Sequence, residues 1–195
     1  MLRLEVQPTF AQRLVQCLTH LFPSPIRSWI ESRFPEWSLP RRLILKKQKE
    51  GWDEEFETEK ETYTKLRPLQ GTVIPRYFGE LRYEGKRAIL LSDIGGACLA
   101  TPEGLLLEMD DFRRMMYEAT EALARFGIVH DDIKLDNYHV TGDKIMVLDL
   151  ERMSEDLTGH QHLDQLVKGT VDQLAKRYEH TKYWHWKDGQ ILIDT

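Results

Sequence analysis

The chain has 195 residues, 41% hydrophobic and 10% aromatic, so it can bury a core and is no disordered polymer. Asp and Glu number 32 against 27 Lys and Arg, a net charge of -5 that offers no basic field to nucleic acid or anionic lipid. Two cysteines, Cys17 and Cys98, make no disulfide framework, and no apolar run approaches a membrane span, so an intracellular protein, cytoplasmic or nuclear, is expected, its thiols reduced and buried.

Phe10, Leu14, Cys17, Leu18 and Leu21 recur at helical spacing, and a second short helix is expected over 25–34. Pro23, Pro25, Pro35 and Pro40 punctuate this stretch, so residues 1–40 are expected to form an N-terminal helical extension. RRLILKK (41–47) reads as a strand with Ile44 and Lys46 on one side and Leu43, Leu45 and Lys47 on the other. EEFETEKETYTKL (54–66) reads as a helix with an acidic first turn. Its Phe56, Glu59, Tyr63 and Leu66 share one face, and a glutamate on an apolar stripe is costly to bury unless a cation meets it.

Residues 75–96 predict a hairpin turning at Glu84-Gly85, followed by a Gly-Gly bend. The clearest helix spans 110–126, capped by Asp110 or Asp111, with an apolar stripe of Phe112, Met115, Met116, Ala119, Leu123 and Phe126 and a terminating Gly127. Thr141-Gly142-Asp143 marks the turn of a second hairpin over 138–149. Residues 157–178 predict a last helix, and the aromatics of YWHWKDGQILIDT are expected to pack back on the body.

Residues 129–151, VHDDIKLDNYHVTGDKIMVLDLE, hold more polar groups than a turn and strand require. The hairpin brings Asn137, before its first strand, and Asp149, after its second, to one open end, roughly 5 Å apart per paired residue. Asp132 and Lys134 lie in the loop leading there. An amide oxygen and two carboxylates beside one ammonium suit Mg²⁺, which takes oxygen ligands and shares them with phosphates. Read singly, Asp132, Asp136 and Asp143 are ordinary loop residues.

HDDIKLDN resembles the protein-kinase catalytic loop, and VLDLE resembles the D-F-G element. LILK (43–46) is similar to the kinase strand that carries the phosphate-binding lysine. LLSDIGG (90–96) looks like the hinge. The resemblance covers about 41–151 and implies an α+β, two-lobed protein kinase-like fold with a reduced C-terminal lobe: 41–96 as first lobe and hinge, 97–195 as shortened helical second lobe.

The same resemblance implies ATP and Mg²⁺ as cofactors. Asp132 and Lys134 would be catalytic, and Asn137 and Asp149 would hold the metal. Lys46, fixed by Glu59, would bind phosphates, while Ile44, Leu91 and the backbone of Ser92, Asp93 and Ile94 would bind adenine. The partner would be a hydroxyl acceptor on a protein or small molecule.

Four departures qualify the likeness. No glycine precedes Gly51, so no glycine-rich loop lies ahead of Lys46. Ile44 replaces a small alanine. Asp131 stands where many kinases carry arginine, which implies no phosphorylation switch. Glu151 replaces the glycine of D-F-G, as in aminoglycoside and choline kinases, where it helps hold metal. A phosphotransferase, a pseudokinase-type nucleotide-binding scaffold and a small-molecule kinase are all consistent with this pattern.

Overall fold

The structure is a computed structural model that describes residues 1–7, 22–23, 26, 39–155, 162–187 and 190–191. The helices expected over 9–21 and 25–34, and Cys17, lie outside these residues. The described chain is α+β, and it divides into two compact units, Met1–Lys49 with Arg76–Asp93 and Glu50–Pro75 with Ile94–Thr195. No helix among the described residues is long and apolar enough to cross a membrane.

The first unit is one antiparallel four-stranded sheet: β1 (Leu2–Glu5), β2 (Arg42–Lys47), β3 (Tyr77–Tyr83) and β4 (Lys86–Ser92), in spatial order β1-β2-β4-β3. β1 falls within the stretch expected to be a helical extension, yet pairs with β2 from Leu2↔Leu45 to Glu5↔Arg42. The β3–β4 hairpin turns where expected. Glu84 (φ 51) and Gly85 (φ 77) supply the two left-handed residues that match a tight two-residue turn to strand twist. Lys47 pairs with Glu84 and lies over the Tyr83 ring, 4.5 Å from its centroid.

The second unit starts with α1 (Asp53–Lys65), one residue earlier than expected, and α1 therefore groups with this unit rather than with a first lobe ending at 96. Next come β5 (Ala97–Cys98), α2 (Met109–Ala124), β6 (Ile128–His130), β7 (Tyr138–Thr141), β8 (Lys144–Val147), β9 (Met153–Glu155) and α3 (Leu163–His185). β5-β7-β8 form one small sheet, and β6 pairs with β9.

Neither Asp110 nor Asp111 caps α2. Glu108 occupies that position without a side-chain capping bond, and the aspartates sit in the first turn, where the helix dipole favours them. The stripe from Phe112 to Leu123 is buried as its spacing demands. Phe112 stacks on Tyr178 of α3 with centroids 4.2 Å apart. The Tyr178 hydroxyl donates to the Gly104 carbonyl (3.1 Å) and accepts the Leu107 N–H (3.0 Å), fastening α3 to the short 3-10 turn Pro102–Leu106.

The expected packing of the tail aromatics is corrected. α3 buries Val167, Val171, Leu174, Ala175 and Tyr178, and this periodicity carries Tyr183 and Trp184 outward, 73% and 63% exposed. Beyond them β10 (Trp186–Lys187) pairs with β11 (Gln190–Ile191), a small hairpin that the sequence reading did not foresee.

Candidate functional site

The loop after β6 is shaped by His130. Its Nδ1 accepts the Asp132 N–H at 3.2 Å, so Nε2 carries the proton and donates it to the Leu148 carbonyl at 3.4 Å. Both contacts require the neutral ring. Burial lowers its pKa, against the opposing pull of the Leu148 carbonyl and the charges of Asp149 and Asp132. His130 is thus a structural pin under the loop.

Asp132 is held from several sides. Lys134 Nζ donates to its Oδ2 at 3.0 Å. That bond keeps the carboxyl below the usual range, with smaller contributions from Asn137 and the Arg152 charge. The Asp132 main-chain carbonyl accepts both the Lys134 N–H (2.9 Å) and the Asn137 Nδ2 (2.8 Å). Asn137 Nδ2 is thereby committed, and its Oδ1 is the atom left for a cation or donor.

The second hairpin converges as expected. Tyr138 pairs with Val147, and Leu148 N–H donates to the Asn137 carbonyl at 2.7 Å, placing Asp149 two residues past the end of β8, opposite Asp136–Asn137. No hydrogen bond joins the Asn137 side chain to Asp149 among the described residues. Asp149 instead gathers with Glu59 and Glu151: one oxygen from each lies within 4.8 Å of the others. Asp149 is left-handed, at φ 56, a conformation that costs a non-glycine residue about 1–3 kcal/mol. Asp143 is only an exposed turn residue.

Glu59 is 0% exposed and lies on the α1 face with Phe56, Tyr63 and Leu66, all buried, so it is no frayed surface charge. Burial, then the charges of Glu59 and Asp149, push the Tyr63 phenol well above its ordinary range, which keeps it neutral beside the acids. Three carboxylate oxygens this close together are hard donors of the kind a divalent cation such as Mg²⁺ takes.

Of the remaining expected residues, Ile44, Lys46, Leu91, Ser92 and Asp93 belong to the sheet unit, and Ile94 to the second unit. Lys46 is 4% exposed, whereas Lys47 is part-exposed and pairs with Glu84. Ile44 is directly opposite Leu91 in the β2–β4 pairing, so these two and Lys46 share a face. Ser92 N–H donates to the Arg76 carbonyl (2.9 Å) and Asp93 N–H to the Arg42 carbonyl (3.2 Å), so the sheet consumes both donors. Arg76 N–H bonds to Ser92 Oγ (2.9 Å) instead of the Ser92 carbonyl. The Asp93 carboxylate, 6% exposed, pairs with Arg3 of β1 at 2.8 Å.

Sequence reasoning missed the clamp behind the loop. β6 and β9 pair from Ile128↔Glu155 to His130↔Met153, and Asp131 N–H extends the ladder to the Arg152 carbonyl at 3.0 Å. Ser154 Oγ donates to Asp131 Oδ1 at 2.8 Å, and Lys65 of α1 pairs with Glu155 at 2.6 Å. A hydroxyl therefore occupies the residue that replaces the usual arginine. Three-residue strands carry too little periodicity to be read in advance. Compared with known proteins, the chain matches no family model, and no curated protein matches its sequence.

Proposed function

We propose that the chain is an ATP- and Mg²⁺-dependent phosphotransferase of the protein kinase-like type, passing the γ-phosphate to a hydroxyl acceptor, with protein serine or threonine preferred. The observation that carries this reading is the double commitment of the catalytic-type loop. Asp132 is held by Lys134 through its carboxylate and by Asn137 through its carbonyl, beside a left-handed Asp149. Asp132 orients the attacking hydroxyl and takes its proton. A carboxyl held low is a weak base, so positioning contributes more than basicity. Lys134 offsets charge on the transferring phosphoryl. Asn137, Asp149 and Glu151 would hold Mg²⁺, which supplies charge neutralisation of the phosphates. Lys46 binds phosphate oxygens, and Ile44, Leu91 and the backbone groups of Ser92–Ile94 other than the two sheet-bound N–H donors bind the adenine.

A second reading, a nucleotide-binding scaffold without turnover, is favoured by one specific feature: no glycine precedes Gly51, so no glycine-rich loop covers the phosphates. Thermal-shift titration with ATP and Mg²⁺ tests what the two readings share. The wild type should show a metal-dependent shift that Asp149→Ala loses; absence of any shift in the wild type sinks both. Phosphate transfer then separates them. Asp132→Ala should cut transfer by about 10²–10⁴-fold while nucleotide binding persists. Binding without transfer in the wild type selects the scaffold.

A further inference from the structure

Arg152 follows Glu151 and is tied by its carbonyl beside the residue preceding Asp132. Its side chain is exposed, and its guanidinium carbon lies 5.5 Å from the centre of the Trp52 ring. Arg87, Arg113, Arg114 and Arg125 each hold a carboxylate, but Arg152 makes no ion pair among the described residues. The nearby acids are engaged elsewhere. Asp131 accepts the Ser154 hydroxyl, Glu155 holds Lys65, and Glu151 lies with Glu59 and Asp149.

A guanidinium held over a tryptophan ring keeps N–H groups that can recognise a carboxylate or phosphate in two-pronged fashion. Trp52 is itself anchored, its carbonyl accepting the Phe56 N–H at 3.1 Å at the start of α1. On the loop, Lys134 adds a second cation, 56% exposed and bonded to Asp132. The Arg152 carbonyl accepts the Asp131 N–H at 3.0 Å, which fixes Arg152 beside the residue that precedes Asp132.

We propose that Arg152, backed by Trp52, recognises an acidic side chain next to the hydroxyl that Asp132 orients, so that the acceptor is an acidic peptide segment. The proposal rests on the phosphotransferase reading for the word acceptor, but the oxyanion site stands on the guanidinium held over the Trp52 ring. The competing source of the same chemistry is the phosphoryl group of the nucleotide.

The test uses the full chain and three serine peptides on one scaffold, flanked by glutamates, by glutamines or by lysines. The wild type should prefer the acidic peptide over the neutral one by about tenfold in kcat/KM, the worth of one charge-assisted contact. Arg152→Ala should erase that ratio, Arg152→Lys should retain part of it, and Arg152→Glu should turn it toward the lysine peptide. Equal transfer to acidic and neutral peptides by the wild type overturns the proposal. So does an Arg152→Ala variant that slows both peptides alike, since the guanidinium would then serve the nucleotide phosphate. A binding arm separates this failure from failure of the enzymatic reading: the same peptides with alanine for serine are titrated by calorimetry without nucleotide. Arg152-dependent binding of the acidic peptide alone supports the site even where no phosphate is transferred. No such binding, with no transfer preference, overturns it.

Discussion

The β3–β4 hairpin turns through Glu84 and Gly85, both left-handed, and β7–β8 turns beside Gly142 at φ 63. Both tips solve the same problem of matching strand twist. They differ at the other end. Around β3–β4 the charges pair across the surface, as in the two-pronged Arg87–Glu80 contact at 2.6 and 3.0 Å. At the open end of β7–β8 the backbone is left-handed again, at Asp149, just ahead of the turn at Leu150–Glu151. Among the described residues these two hairpins hold the only non-glycine positions with positive φ, Glu84 and Asp149. Left-handed backbone at a tip is generic turn chemistry; at an open end it aims a carboxylate at its neighbours.

The glycines give the sharpest way to break this contrast. Gly96 (φ 73) leads into β5, and a Cβ there would lie 2.2 Å from the Val140 carbonyl oxygen and 2.5 Å from Thr141 Oγ1 in β7. Gly85 has nearly the same φ, 77, and nothing within 4 Å. Gly96→Ala should cost about 3 kcal/mol or more, because clash adds to backbone strain. Gly85→Ala should cost about 1 kcal/mol from strain alone. Urea denaturation measures both. Equal losses would mean that the second hairpin is no more tightly held than the first.

Much of this frame was legible in advance, and the reasons are physical. The stripe of α2 and the burial of Glu59 follow from helical spacing, and both hairpin tips follow from glycine placement. β1 was not legible: four residues, LRLE, gain strand character only from a partner some forty residues later. The convergence of Asn137 and Asp149 followed from pairing register. The company Asp149 keeps with Glu59 did not, since α1 lies far away in sequence. The Ser154–Asp131 bond and the Trp52–Arg152 contact were hidden for the same reason, being side-chain contacts made by three-residue ladders and loops.

A smaller effect sharpens the contrast at the two left-handed residues themselves. Replacing either by glycine relieves a conformation that disfavours L side chains. Glu84→Gly should stabilise the protein by about 0.5–1 kcal/mol, reduced by loss of the Lys47 contact. Asp149→Gly should likewise lose the strain of its left-handed backbone, and should abolish stabilisation by Mg²⁺ and ATP. A variant that keeps the metal response would show that the left-handed turn, and not its carboxylate, is what the open end needs.

The smallest effect concerns the pin beneath that end. His130 must stay neutral, because its Nδ1 accepts from the Asp132 N–H while Nε2 donates to the Leu148 carbonyl. Burial lowers its folded pKa below the ordinary value of about 6.5. The sign follows from linkage: below the unfolded pKa the unfolded chain takes up a proton that the folded chain refuses. The contribution of His130 is therefore fully present above about 6.5 and is lost as pH falls from there toward the folded pKa. Stability measured at pH 7.5 and pH 5.5 should drop more in the wild type than in His130→Asn, whose side chain does not titrate. Subtracting the two drops cancels the other histidines and the carboxylates common to both proteins. A difference of the opposite sign would mean that the charged ring is favoured by Asp132 and Asp149, and that the loop is held by an ion pair instead of two neutral hydrogen bonds.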